Sequence, residues 1–168
     1  MKNIKSIMLD TTYVLPLFGI KINLSENFRE EISQLWKNGI KDYDIYLPST
    51  CLIETVYKLL YEYRKRDDLS ILERYHLILP TILNSSIQIY NPELDIKASA
   101  IASIIRNSGH LDYMDCWIAG SAVALNSILL TEDKELEKIL KIIPETKSLN
   151  VRSWKKFITK IFNEHKLS

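Results

Sequence analysis

Carboxylates are the residues of this chain best placed to do chemistry. Asp10 halts the apolar run Ser6-Ile7-Met8-Leu9 and is followed at once by Thr11 and Thr12. Glu54 lies in the first turns of an amphipathic stretch that opens behind Pro48. Asp112 and Asp115 stand at the head of a segment rich in Ala119, Gly120, Ser121, Ala122 and Ala124, and Asp133 follows Leu129-Leu130-Thr131-Glu132. Several carboxylates within a few ångströms repel one another unless they are protonated or bridged by cations. Hard oxygen donors suit Mg²⁺ or Mn²⁺, and Mg²⁺ keeps waters that can become nucleophiles. A centre of that kind can hydrolyse a phosphodiester without a His, Ser or Cys nucleophile.

Each position also has a plain structural explanation. Asp10 could cap the helix after it, and Asp133 the helix starting at Lys134. Glu54 is four residues before Lys58, the spacing of an ordinary exposed helical ion pair contributing a few tenths of a kcal/mol. Asp112 with Asp115 three residues on fits a variant of the capping box. Taken together, however, all four positions precede or open helices at what should be one edge of one sheet. The three histidines, His76, His110 and His165, are scattered without ligand spacing and read as surface or loop residues.

The elements that must position these carboxylates follow from hydrophobic periodicity. Strands are expected at 4–9, 44–47, 87–90 and 127–130, with a short fifth at 149–151. Helices are expected at 12–18, ended by Gly19, and from Ser25 to about 37 with Phe28, Ile32, Leu35 and Trp36 inward. A long one follows to about Arg66, with Leu52, Val56, Leu59, Leu60 and Tyr63 as its core stripe. Others are expected at 71–83, where Pro80 could bend or break the helix, from Asn91-Pro92-Glu93 to about 107, at 113–125 and 134–142, and from Arg152 to about 165. The last should place Val151, Trp154, Phe157, Ile158 and Ile161 inward. Strands alternating with helices, and no hairpin turns, give right-handed crossovers and an α/β fold with a mostly parallel sheet of four to five strands. Functional grooves of such sheets lie beyond the carboxyl ends of the strands, which is where Asp10 and Asp133 stand.

Composition sets the outer bounds. At 168 residues, 46% hydrophobic and 26% charged, the chain is globular and long enough for one ordinary domain spanning 1–168. The net charge of +1 leaves any nucleic-acid contact to a local basic surface, for which Arg64, Lys65 and Arg66, or Lys155, Lys156 and Lys160, are the candidates. Cys51 and Cys116 fall inside expected helices with no C-x-x-C or Cys/His pairing, which argues against a zinc site and for small buried thiols in a reducing cytoplasm. No run approaches the ~18 apolar residues of a membrane span, so a cytoplasmic protein is expected.

With these residues in place, the chain resembles PIN domains, the fold of VapC-type toxin ribonucleases. The resemblance rests on Leu9-Asp10-Thr11-Thr12, Glu54-Thr55-Val56-Tyr57-Lys58-Leu59, Asp115-Cys116-Trp117-Ile118-Ala119-Gly120-Ser121-Ala122 and Leu130-Thr131-Glu132-Asp133. It implies a three-layer PIN-like fold and a Mg²⁺- or Mn²⁺-dependent endoribonuclease, the toxin of a toxin-antitoxin pair. A stand-alone RNA-processing nuclease or an inert RNA-binding scaffold are the alternatives. Asp10, Glu54, Asp115 and Asp133 match the family's metal-binding carboxylates. Thr12 stands where many relatives have Asn or Ser, and Thr131 matches the hydroxyl beside the last acid. Asp115, leading directly into the small-residue segment, is favoured over Asp112, which is left to cap the helix or support the site. The resemblance further implies RNA as substrate, an antitoxin covering the acidic groove and a homodimer. Tyr57, Lys58 and Tyr61, on the Glu54 side of their helix, are candidate groove or partner contacts, and an amphipathic helix surface explains them equally well.

Overall fold

Strands that are apolar on both faces need cover on both sides, and the computed structural model of the protein provides it with one parallel sheet flanked by helices. The structure describes residues 5–25 and 27–166, with the side chains at 160 and 162–166 outside that description. Ile4 of the expected first strand, and the side chains of Lys160 and His165, therefore lie outside the described residues.

The strands are β1 (Lys5–Leu9), β2 (Tyr43–Pro48), β3 (Gln88–Tyr90), β4 (Ile128–Leu130) and β5 (Val151–Arg152). Their order is β3-β2-β1-β4-β5 and every neighbouring pair is parallel. β1 is central, and its Ile7, Met8 and Leu9 have no exposed surface. Full burial of such side chains contributes roughly 1.5–3 kcal/mol each. Register then decides what meets at the carboxyl edge. Leu9 pairs with Leu130, so the next residues, Asp10 and Thr131, emerge side by side.

Helix α1 (Phe28–Asn38) buries Phe28, Ile32, Leu35 and Trp36, the expected stripe, and Gly39 at φ 65° stops it. Its start is Phe28 rather than Ser25. The segment after β1 is two 3-10 turns, Thr11–Tyr13 and Leu15–Phe18, in place of one helix, and Gly19 ends it at φ 75°. α2 (Ser49–Arg66) is rotated from the expected stripe. Thr50, Cys51, Thr55 and Leu59 are the buried residues, whereas Leu52, Val56, Leu60 and Tyr63 are half-buried. Thr55 satisfies its hydroxyl on Cys51 O at 2.7 Å, which lets a polar residue occupy the inner face. This rotation brings Glu54 to the rim of the interior.

α3 (Ser70–Leu83) continues through Pro80, which sits in its last turn and removes only one helical hydrogen bond. The chain after β3 makes a 3-10 turn, Pro92–Leu94, and Asp95 rather than the Asn91 segment caps α4 (Ile96–Asn107) through Ala98 N. α5 (Tyr113–Ala124) packs closely on α4: a Cβ on Gly120 would lie 3.1 Å from Ala102 N and clash with Ala98 O. α6 (Lys134–Ile142) follows β4, and α7 (Trp154–Lys166) starts two residues later than expected because Val151 and Arg152 are taken into β5. Trp154 and Phe157 are buried, as their spacing indicates. No helix among the described residues is long and apolar enough to cross a membrane.

Candidate metal centre

Asp10 leaves β1 at its carboxyl end and is only 6% exposed. Its side chain makes no capping hydrogen bond to the turn that follows, although the Thr11 and Thr12 amides lie near enough to lower its carboxyl pKa. Thr131, delivered next to it by the β1/β4 register, donates its hydroxyl to Asp10 Oδ2 at 2.7 Å. Thr12 approaches the same oxygen at 3.5 Å, a much weaker contact. Burial pushes the Asp10 carboxyl up to about 6; the Thr131 bond lowers it and the Glu54 charge raises it again.

Glu54 is the sixth residue of α2 and bonds to two neighbours. Thr11 donates to its Oε2 at 2.5 Å, and Lys58 pairs with its Oε1 at 2.9 Å. The helical ion pair anticipated from spacing therefore exists, but on a glutamate that also faces Asp10 electrostatically. Thr11, 2% exposed, was not given a role by the sequence; only the 3-10 turn shows that it, rather than Thr12, reaches the second acid.

Asp112 and Asp115 divide their work. Asp112 accepts from Met114 N at 2.9 Å and Asp115 N at 3.5 Å, the N-cap of α5. Asp115, one turn into the helix, carries a carboxyl raised to about 8, first by burial and then by the charges of Asp10, Asp112, Glu54 and Asp133. A single side chain thus feels all the other acidic positions singled out in the sequence. Asp133 caps α6 through Oδ1, which accepts from Glu135 N at 2.7 Å and Leu136 N at 2.9 Å. Both amides use the same oxygen. Thr131 also accepts from Asp133 N at 3.1 Å, so one threonine braces two acids.

His110 is a loop residue, as expected, but a buried one turned onto the acids. It is 7% exposed, and its Nε2 lies 3.1 Å from Asp115 Oδ2. Donor atoms of His110, Asp115 and Asp133 all fall within 4.8 Å of one another. Sequence spacing could not find it, because His110 belongs to the loop before α5 and Asp133 follows a different strand. His76 is exposed on α3, as expected of a surface residue.

The donor set fits a divalent cation. Asp10 and Asp115 are withdrawn from water and raised by burial and by the charges of their acidic neighbours, Asp10 and Glu54 receive neutral hydroxyls, and among the described residues Lys58 is the ammonium paired with the set. A hard dication would relieve that repulsion with oxygen ligands.

The basic candidates separate. Arg64, Lys65 and Arg66 form the last turn of α2, exposed, with Arg66 paired to Glu62 at 2.9 Å. Ten or more residues from Glu54 along the helix is roughly 15 Å of rise, so the fold does not bring them to the acidic cluster. Lys155 and Lys156 instead line a cavity of about 490 Å³ together with Lys134, Glu31, Glu132, Glu137 and Thr131, and Thr131 links it to the acids through its bond to Asp10. Glu132 is structural: its Oε1 accepts from Tyr13 OH at 2.9 Å and Trp154 N at 2.7 Å.

Among solved structures the chain is similar to VapBC2 of Rickettsia felis bound to a DNA fragment from its promoter, at 20% identity over 89% of this chain and 98% of that one, TM-score 0.57. DNA-bound VapBC of Salmonella typhimurium gives 18%, 90% and 98% with TM-score 0.57, and FitAcB of Neisseria gonorrhoeae 17%, 86% and 95% with TM-score 0.56. At such identities the likeness shows the fold. A search of curated proteins finds no match to this sequence. The PIN domain family model matches residues 7–141, which span β1 to α6 and every acid described above, and the chain belongs to the PIN domain family.

Proposed function

We propose that this chain is a divalent-metal-dependent endoribonuclease and the toxin of a toxin-antitoxin pair. The observation that carries the reading is convergence at one sheet edge: the β1/β4 register sets Asp10 beside Thr131, Thr131 also holds Asp133 N, and Asp133 and Asp115 offer donor atoms within 4.8 Å of each other. Asp10, Glu54, Asp115 and Asp133 are the residues that would hold Mg²⁺ or Mn²⁺. When bound, the cation supplies an activated water and neutralises charge gathering on the phosphodiester.

The protein's own groups prepare that centre. Thr131 fixes Asp10 by one oxygen, Thr11 and Lys58 fix Glu54 by both, and the α6 amides fix Asp133. Thr12 contributes a weaker hold on Asp10. Little reorientation is then needed when substrate arrives, which is the electrostatic advantage of a preorganised site. Lys155 and Lys156, with Lys134, line the adjoining cavity and can receive flanking RNA phosphates at modest, salt-sensitive gain.

The similar solved structures are VapBC and FitAB assemblies, which supports a protein antitoxin as partner here. Tyr57 and Tyr61, 63% and 65% exposed on α2 beside Lys58, are suitable contacts for it. A homodimer accords with the same family reading. The purified chain should cut structured RNA with Mn²⁺ or Mg²⁺, and EDTA should stop it. Asp10→Asn should lose cleavage by at least about a hundredfold, the scale of removing a preorganised charge. Undiminished cleavage by that variant would sink the mechanism.

A further inference from the structure

We propose that His110 supplies a nitrogen ligand to the cation held by Asp115 and Asp133, making this centre prefer Mn²⁺ over Mg²⁺. The inference rests on the cation-binding reading above and adds to it a residue outside the acidic set.

The imidazole is held on the acids by its backbone. Gly109, at φ 109°, turns the chain after α4, and His110 N donates to Ile105 O at 3.4 Å. Arg106 Nη1 donates to His110 O at 2.9 Å, fixing the other side of the same residue. The neighbouring Leu111 is 82% exposed while His110 is 7% exposed, so the histidine is turned inward from a loop that otherwise faces solvent. A buried imidazole needs polar partners, and the nearest one for Nε2 is Asp115 Oδ2 at 3.1 Å.

Spacing favours ligation over a pairwise hydrogen bond. A hydrogen bond to Asp115 would require nothing of Asp133, yet all three donor atoms lie within 4.8 Å of one another. Adjacent ligands on an octahedral cation with bonds of about 2.1 Å are roughly 3 Å apart and opposite ones about 4.2 Å. The His110–Asp115 pair, 3.1 Å apart, has the spacing of adjacent ligands, and Asp133, within 4.8 Å of both, joins them on one cation after a small closure. Asp133 already commits Oδ1 to the α6 amides, so its place is fixed before any cation arrives. Ligation uses the neutral imidazole with its proton on Nδ1 and the lone pair on Nε2. Imidazole suits transition metals, whereas Mg²⁺ favours oxygen and water. One nitrogen among carboxylates therefore biases the centre away from Mg²⁺ without excluding it.

The test uses the full chain loaded with MnCl₂ and pulsed electron paramagnetic resonance, which reads nitrogen bonded directly to Mn²⁺. The wild-type spectrum should carry a coordinated-¹⁴N modulation that changes to the ¹⁵N pattern when histidine is ¹⁵N-labelled. It should persist in the His76→Gln/His165→Gln protein and vanish in His110→Gln. By titration, His110→Gln should weaken Mn²⁺ binding by at least about tenfold and Mg²⁺ binding by less than about threefold. Bound Mn²⁺ with no nitrogen coupling in labelled wild type overturns the inference while leaving the cation reading intact, and needs no variant to fold. Equal loss of both metals in His110→Gln also overturns it. Failure of the wild-type chain to bind Mn²⁺ at all defeats both.

Discussion

At the residue scale, the acids do two kinds of work that substitution can separate. Asp133 caps α6 by charge-independent hydrogen bonds and faces the other acids by charge. Asp133→Asn keeps an acceptor of equal capping strength and removes a charge that faces Asp115, so its Tm without metal should equal or exceed that of wild type, while Asp133→Ala should lose about 1 kcal/mol of capping. Both should weaken Mn²⁺ binding. If Asp133→Asn binds Mn²⁺ as wild type does, in a titration followed by thermal shift, Asp133 is a cap alone. Asp115 lacks such a second task, since the cap of α5 is Asp112.

At the element scale, the site depends on how closely α4 and α5 approach, because that contact sets the loop bearing His110 and the first turn bearing Asp115. Gly120 is a point of close approach, with Ala98 O and Ala102 N where its Cβ would be. Gly120→Ala should therefore destabilise by about 2 kcal/mol or more in spite of alanine's better helix propensity, lowering Tm by roughly 5 °C. An unchanged Tm in a thermal melt would mean the helices part without cost. The small-residue run from Ala119 to Ala122 signalled close packing from sequence alone; which partner it packs on required the fold.

At the scale of the whole molecule, gathering carboxylates at one sheet edge costs stability until a cation is bound. Asp10 and Asp115 are raised from 3.8 to about 6 and about 8. Each binds its proton more tightly folded than unfolded, so the penalty is absent below about pH 3.8 and complete above the folded pKa. In EDTA, stability should fall as pH rises from 5 to 8 by an amount on the order of a few kcal/mol, read as a falling Tm. Saturating Mn²⁺ should flatten the profile. Asp95 is lowered by its bonds from Tyr90 and Ala98 N and has the opposite sign, but its contribution is lost only as pH drops below the ordinary carboxylate range, outside this window. A metal-free profile that rises between pH 5 and 8 would contradict the convergence.

The sequence by itself determined the parallel strands and the order of elements, and it singled out the acids Asp10, Glu54, Asp115 and Asp133. Those features are written locally: apolar runs that stop at Asp10 and Asp133, Gly19 and Gly39 at helix ends, and helix stripes such as Phe28, Ile32, Leu35 and Trp36. The inner face of α2 was not legible, because Thr55 is buried on a hydrogen bond to its own helix and Leu60 is not fully covered. Only the tertiary structure decided the second rank of the site. Thr131 reaches Asp10 across a strand pairing, Thr11 reaches Glu54 across 43 residues of chain, and His110 meets Asp133 through the packing of separate elements. Such contacts have no sequence period, since they arise from register and helix placement rather than from spacing along the chain.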